Sequence, residues 1–545
     1  MGVIFCRPER ENEGVGKVRF SRRGVGVTET SSFFEAYNIS GNPFASTNAE
    51  NEDLLSEYFV APPYFESVVG LAETPKSTIV FAPRGSGKTA QRKMIENRAA
   101  LPDSNFACIS YTDFTGITPD TASLAQHKLA ICRLMTVAAL GHIEAQPERA
   151  DGLSKHEKLV LTTASQQLLG GLSQSEFQTA LGSVKSLGQK WSDIWNRYGG
   201  IMAVVVNAAM KKLGMDDVNI DAPAGSEGAR GVIDGQYLYS QLASLFATLG
   251  FSAVYVLVDK VDETVFTNND KSATFNLISA LLFDLPTLEQ PGVAYKFFLG
   301  DYLKMAFLDG GGRDDRILVT NLHWTTDELS TMLSRRLMAY SENQVDSFNA
   351  FLDKNVEVDL HELICRLNPE SPRDLIRMCD RIITEHTRRA GYPVTIGRFS
   401  MLAGIHEFSA NWCDSRFSSI MSEIRRVPLT SFTNRELANN TFRIDDTSMR
   451  NKIAKWVDAG AVSIVAQQPG VRPGRPSNVY AFADPRLVIA KEARGRLADS
   501  LSTGVFVCRE CNEIVIASDE AVKCLSCGSD FNSWHSLWDS VTPGA

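Results

Sequence analysis

The sequence predicts an α/β fold built on a parallel sheet, with a helical insertion, a helical lid and two small C-terminal modules. Three observations carry that reading. The β-branched run at 77–81 passes directly into Ala82-Pro-Arg-Gly-Ser-Gly-Lys-Thr89; a second apolar run at 252–258 ends in Asp259; and four of ten cysteines fall within twenty residues at 508–527. Runs of five to seven apolar residues bounded by Gly, Pro or acid are the pattern of strands buried on both faces. Further runs at 294–299, ending near Asp301, and at 316–320 alternate with helical spacing, which makes a parallel sheet the simplest arrangement.

The first loop fits the phosphate-binding pattern GxxxxGK[ST] except that Ala82 replaces the first glycine. Gly85 and Gly87 allow the backbone of Arg84, Gly85, Ser86 and Gly87 to turn N–H groups toward phosphates at a helix N-terminus. Lys88 is placed to reach the β- and γ-phosphates of ATP, and Thr89 to ligate Mg²⁺. Asp259, at the carboxyl end of its strand, is the matching Mg²⁺ ligand. The next position, where an acid commonly polarises the attacking water, is Lys260. Either Asp262 or Glu263 therefore supplies the base, or hydrolysis is slow. These features define an α/β P-loop NTPase core.

The chain has 545 residues and a net charge of -9, room for several domains. The reading divides it into a flexible arm (1–41), the core (42–325, with the insertion at about 120–215), the lid (326–420) and the two modules (421–490 and 500–545). The longest apolar stretch, Ile201 to Met210, is ten residues and includes Asn207, too short to span a bilayer. The charged first residues do not read as a secretory signal, so a cytoplasmic protein without membrane contact is expected. Cys6, Cys108, Cys132, Cys365, Cys379 and Cys413 are scattered and expected as reduced core residues.

Residues 425–480 hold nine Lys/Arg against four Asp/Glu, a local +5 that leaves -14 for the rest. Within them, Thr433 caps one short helix, and a second spans 446–457 with Met449, Ile453 and Trp456 on one face. Strand-like runs at 461–465 and 478–482 then flank a Pro/Gly-rich tip. That order is a winged helix, with Arg450, Lys452 and Lys455 on the second helix and Arg472 and Arg475 on the wing as candidate DNA contacts; such modules also bind proteins. Cys508-x-x-Cys511 and Cys524-x-x-Cys527 have the spacing of a zinc ribbon, and four thiolates close the Zn²⁺ shell, so the site is structural.

The residues PRGSGKT, LVDKVDE, Asp301, Thr325-Thr-Asp-Glu-Leu329, Arg335-Arg336-Leu337 and Ser371-Pro-Arg-Asp374 together resemble the AAA+/STAND side of the P-loop ATPases. They are closest to origin-recognition ATPases and to bacterial P-loop ATPases of phage-defence loci. The resemblance covers about 42–390, and the winged helix extends it to about 485. It implies that Asp301 stands at the sensor-1 position and Arg373 at sensor 2, both toward the nucleotide, although Ser371 stands where the family more often has Gly. It also implies a homo-oligomer acting on nucleic acid as a nucleotide switch or motor subunit in a larger prokaryotic system such as phage defence, with a separate effector protein. The alternative is an ATP-bound scaffold with negligible hydrolysis. Arg313, Arg316, Arg335 and Arg336 are candidates for an arginine finger.

Overall fold

The computed structural model describes residues 33–169, the single positions 180, 182, 184 and 211, and 235–542 apart from 269, 389–392, 470–475, 493–495 and 519–521. Five strands, β1 (Thr78–Ala82), β2 (Phe106–Tyr111), β3 (Ala253–Val258), β4 (Val293–Gly300) and β5 (Leu318–Asn321), form one parallel sheet in the order β2-β3-β4-β1-β5. All residues of β1 to β4 are buried, so the strands read as continuous apolar runs. The sheet brings the carboxyl ends of β1, β3 and β4 side by side, the edge where open α/β sheets bind ligands.

Successive side chains alternate between two cores. Val80, Cys108, Tyr255, Leu257 and Phe298 pack against α1 (Lys88–Ala99) through Ile95 and Ala99. Ile79, Phe81, Ile109, Val256 and Phe297 meet α2 (Leu124–Ala145), α3 (Lys155–Leu169), α4 (Gly235–Thr248) and α5 (Lys271–Leu282). The first two helices of the expected insertion therefore cover the sheet; most of its remainder lies outside the described residues. Cys108, Cys132, Cys365, Cys379 and Cys413 are buried and unbridged.

The lid comprises α6 (Thr326–Tyr340), α7 (Leu360–Leu367), α8 (Pro372–Thr387) and α9 (Arg398–Phe417). Thr325 caps α6 in a reciprocal capping box with Glu328. Packing begins earlier than Asn42: Phe33 and Phe34 are buried against Phe351 and the rest of the lid core. Two hydrophobic rings in sequence outweigh the polar composition around them.

Beyond the lid, β6 (Ser431–Thr433), β7 (Val462–Gln468) and β8 (Ser477–Phe482) form an antiparallel sheet in the order β6-β8-β7, backed by α10 (Asp446–Asp458) through Met449, Ile453 and Trp456. A last sheet, β10-β9-β11, consists of β9 (Val505–Cys508), β10 (Ile514–Ile516) and β11 (Trp534–Ser536). Val505, Val507, Ile516 and Leu537 belong to the same hydrophobic cluster as the lid, so lid and both small sheets share one core.

Lys296 on β4 sits 1% exposed, its ammonium donating to the Lys76 carbonyl at 2.7 Å and lying 4.7 Å from the Tyr255 ring centre. Burial pulls its pKa down to about 7. Between that value and the unfolded value of about 10.4, the unfolded chain holds a proton that the native chain lacks. Native stability at this site therefore rises with pH through that window and is lost as pH falls toward 7. Lys296→Met is expected to stabilise the core by roughly 2–4 kcal/mol near neutral pH, with the gain shrinking toward pH 10. Urea unfolding at both ends of the window measures this; an equal or negative effect at both would contradict it.

Candidate nucleotide and metal sites

The turn from β1 into α1 uses left-handed backbone at Gly85 (φ 87°) and Gly87 (φ 103°), which costs an L-residue strain. A Cβ on Gly85 would also stand 3.1 Å from the Arg373 Cβ and 3.2 Å from the Ser371 Oγ. The lid helix α8 thus rests directly on the loop, and the Arg373 N–H donates to the Gly85 carbonyl at 3.2 Å. Ser86 is buried, its hydroxyl donating to the Pro83 carbonyl at 2.7 Å, while the Trp324 indole N–H donates to the Ser86 carbonyl at 2.7 Å.

Lys88 folds back onto its own loop, donating to the carbonyls of Ala82 at 2.9 Å and Pro83 at 3.0 Å. Burial lowers its pKa; Asp262 opposes that most strongly, then Asp259 and Asp301, while the nearby Arg373 adds to the lowering. Three acids from two strand ends therefore face one lysine. The Thr89 hydroxyl donates to Asp259 Oδ2 at 2.9 Å. A hydroxyl and a carboxylate in contact at a phosphate loop are the hard oxygen donors Mg²⁺ takes, so these two residues fit that ion.

Lys260 adopts left-handed backbone (φ 62°), which turns the chain after β3 into a short helical turn at Val261–Glu263. Asp262 and Glu263 both line a cavity of 340 Å³, with Arg84, Gly85, Gly87, Lys88, Thr89, Asp259 and Arg373. Asp301 is not among its lining residues; it is exposed, beyond β4, and caps the next turn by accepting from the Tyr302 N–H at 3.0 Å. Its lining also includes the apolar Leu55, Val60, Pro62, Trp324, Met332 and Ile376.

Two arginines at this site are buried: Arg92, which the sequence analysis did not single out, and Arg336, there a finger candidate. Arg92, 1% exposed on α1, donates to Asp259 Oδ2 at 3.0 Å and pairs with Glu96 and Glu50; Glu50 also pairs with Lys260 at 2.9 Å. Burial opposes the charge of Arg92, but the three carboxylates outweigh it and raise its pKa. Arg336 pairs with Glu52 at 2.8 Å, between the rings of Tyr58 and Tyr340. It is buried at the cavity wall, so it is not free to serve a neighbouring subunit as a finger. At the surface, Arg313 pairs with Asp315 and Arg316 with Glu289, and Arg335 donates to the Phe59 carbonyl. The sequence signal available for Arg92 was its i,i+4 spacing to Glu96.

Cys508, Cys511, Cys524 and Cys527 converge with all four sulfurs within 4.8 Å of one another. Cys508 and Cys527 lie 3.6 Å apart, and Cys511 and Cys524 3.5 Å, close to the ~3.8 Å edge of a tetrahedron with Zn–S bonds of about 2.3 Å. The donor set fits Zn²⁺.

On α10, Arg450 is exposed and paired with Asp446 at 3.1 Å, and Lys455 is exposed. Lys452 does not point outward as expected: it is half-buried against Glu423, which also accepts from the Trp456 indole at 3.0 Å. Burying Trp456 draws that carboxylate, and Lys452 with it, toward the helix. Arg472 and Arg475 lie outside the described residues.

A family model described as ORC-CDC6-like matches residues 42–117, the stretch holding β1, the phosphate loop, α1 and β2. Among solved structures, the chain is similar to the Aeropyrum pernix ORC2 protein in its ADPNP-ADP complexes, at 11% identity and a TM-score of 0.36 over 83% of this chain and 96% of that one. The ADP form of the same protein aligns at 12% identity and a TM-score of 0.29, over 83% and 91% of the two chains. No curated protein matches the chain.

Proposed function

We propose that the protein binds ATP with Mg²⁺ in the 340 Å³ cavity and hydrolyses it as a nucleotide-dependent switch that acts on nucleic acid as an oligomer. The observation that carries the reading is the contact between the Thr89 hydroxyl and the Asp259 carboxylate beside Lys88, under a lid that places Arg373 on the same loop. The ORC-CDC6-like match over 42–117 supports it. Thr89 and Asp259 hold Mg²⁺, which supplies charge neutralisation at the phosphates. Lys88 releases its two loop carbonyls and takes phosphate oxygens, Arg373 approaches from the lid, and Asp301 acts on the site at longer range through Lys88.

Asp262 is the base in this reading. It lines the cavity with Lys88 and is the carboxylate that most strongly offsets the burial of that ammonium, whereas Lys260 is turned to Glu50. Glu263 is secondary. Asp262→Asn is expected to retain ATP and slow turnover by roughly 10²-fold or more, and Lys88→Ala to lose ATP binding. Equal turnover in wild type and Asp262→Asn rules out the assignment; retained ATP affinity in Lys88→Ala rules out the site.

Lys260 also favours a second reading, an ATP-bound scaffold with negligible hydrolysis that recruits an effector protein. Undetectable turnover by wild type in the presence of DNA would select it. The β6-β8-β7 sheet with α10 is read as a winged helix whose Arg450 and Lys455, together with Arg472 and Arg475, contact DNA phosphates, and the β10-β9-β11 sheet as a structural zinc ribbon.

A further inference from the structure

The four-cysteine sheet has an open edge. In the β9–β10 pair, Cys508 N–H donates to the Glu513 carbonyl and Ala517 N–H to the Gly504 carbonyl. With the register Ile514↔Val507 and Ile516↔Val505, alternation makes 513, 515 and 517 the residues bonded to β9. The N–H and C=O groups of Ile514 and Ile516 point the other way, and β10 is the outer strand of its sheet. No partner for these groups occurs among the described residues.

That edge borders a cleft of 830 Å³ between the cysteine sheet, β7 and the start of α6, at the upper end of the ~300–1,000 Å³ range of ligand clefts. Val515 belongs to the core around the cysteines and Ile516 to the lid core. Their side chains thus leave in opposite directions, yet Ile514, Val515 and Ile516 all line the cleft. What the cleft meets is the backbone edge. An unpaired edge over a cleft is a template for an added strand.

The charge of the cleft selects the occupant. Its lining carries Asp327, Glu370, Asp484 and Glu513 against Arg366 and Lys523. Arg366 is occupied by Glu362 and by Asn512, Lys523 by Asp530, Asp484 by the buried Arg486 and Glu370 by His323, which leaves Asp327 and Glu513, both exposed and in no ion pair among the described residues, as the unpaired charges of the lining. A surplus of carboxylates repels a phosphate backbone and attracts Lys or Arg. We propose that this cleft binds an extended, basic peptide segment of a partner protein, which adds as a strand to β10 and sets a Lys or Arg side chain between Asp327 and Glu513.

The test uses the full-length, zinc-loaded protein and fluorescein-labelled hexapeptides Thr-Val-X-Val-Thr-Val, with X as Arg, Lys, Ala or Glu. The Arg and Lys peptides are expected to bind at least about tenfold more tightly than the Glu peptide, to fail when alternate backbone nitrogens are methylated, and to slow hydrogen exchange at Ile514 and Ile516. Asp327→Lys with Glu513→Lys, both at exposed positions, should invert the preference toward the Glu peptide. Any of four results would overturn the proposal: no binding across the panel at about 1 mM, equal binding of the methylated peptides, unchanged preference in the charge-reversed variant, or protection of these amides by a single-stranded oligonucleotide but not by peptide.

Discussion

Arg92→Met is expected to destabilise the sheet core by about 3–5 kcal/mol, the scale of leaving buried carboxylates without their cation. Methionine preserves the length of the stem, so the loss reports the charge and its hydrogen bonds. Without the guanidinium, Asp259, Glu96 and Glu50 remain side by side with no ion pair among the described residues except that of Lys260 with Glu50. Asp259 would also lose the donor that holds Oδ2 beside Thr89, so the variant should need more Mg²⁺ to bind ATP. Adding Glu96→Gln should recover part of the stability, since neutralising one carboxylate lessens the repulsion the first change creates. Urea unfolding of the single and double variants measures both effects. A loss below about 1 kcal/mol in Arg92→Met would show that water solvates the three acids and that the cluster is not a buried unit.

The second large effect concerns the cysteine cluster. Structural Zn²⁺ contributes apparent binding energies of about 10–16 kcal/mol in small metal-dependent folds, and the three short strands β9, β10 and β11 form a minimal sheet without it. Chelation, or Cys524→Ser, is expected to release hydrogen-exchange protection across 505–541. ATP binding at the phosphate loop, remote along the chain, should remain. The release should spread to the lid in one respect: the Asp359 N–H, at the start of α7, donates to the Val541 carbonyl at 2.6 Å, and Arg366 donates to the Asn512 carbonyl and side chain. Elemental analysis giving no zinc in carefully purified protein would refute the metal assignment.

The parts of the site legible in the sequence are those whose chemistry is local. A glycine-lysine loop after a strand and an acid at a strand end each state their role within eight residues or fewer, and the paired CxxC turns within twenty. β2 was not legible: Phe-Ala-Cys-Ile-Ser-Tyr at 106–111 is buried on both faces and mixes small polar residues with apolar ones, so it offers neither alternation nor a clean apolar run. Arg92 was not legible for a different reason. Its meaning depends on Glu50, 42 residues before it, and Asp259, 167 residues after it, and on an exposed helix face the same arginine would be an ordinary solvated charge. Arg336 shows the converse, since a double-arginine helix invites a role between subunits that its burial with Glu52 and two tyrosines removes.

Trp324 gives the molecule an intrinsic optical reporter. Its indole N–H is bonded to the Ser86 carbonyl inside the phosphate loop, and its ring forms part of the cavity wall. If the proposed nucleotide binds, phosphates that draw the loop backbone toward them would lengthen or turn that hydrogen bond. That change would alter the polarity felt by the excited indole, so binding at this loop is expected to shift emission wavelength and intensity without any attached dye. The chain has six other tryptophans, so Trp324→Phe is the blank that isolates the signal of this loop.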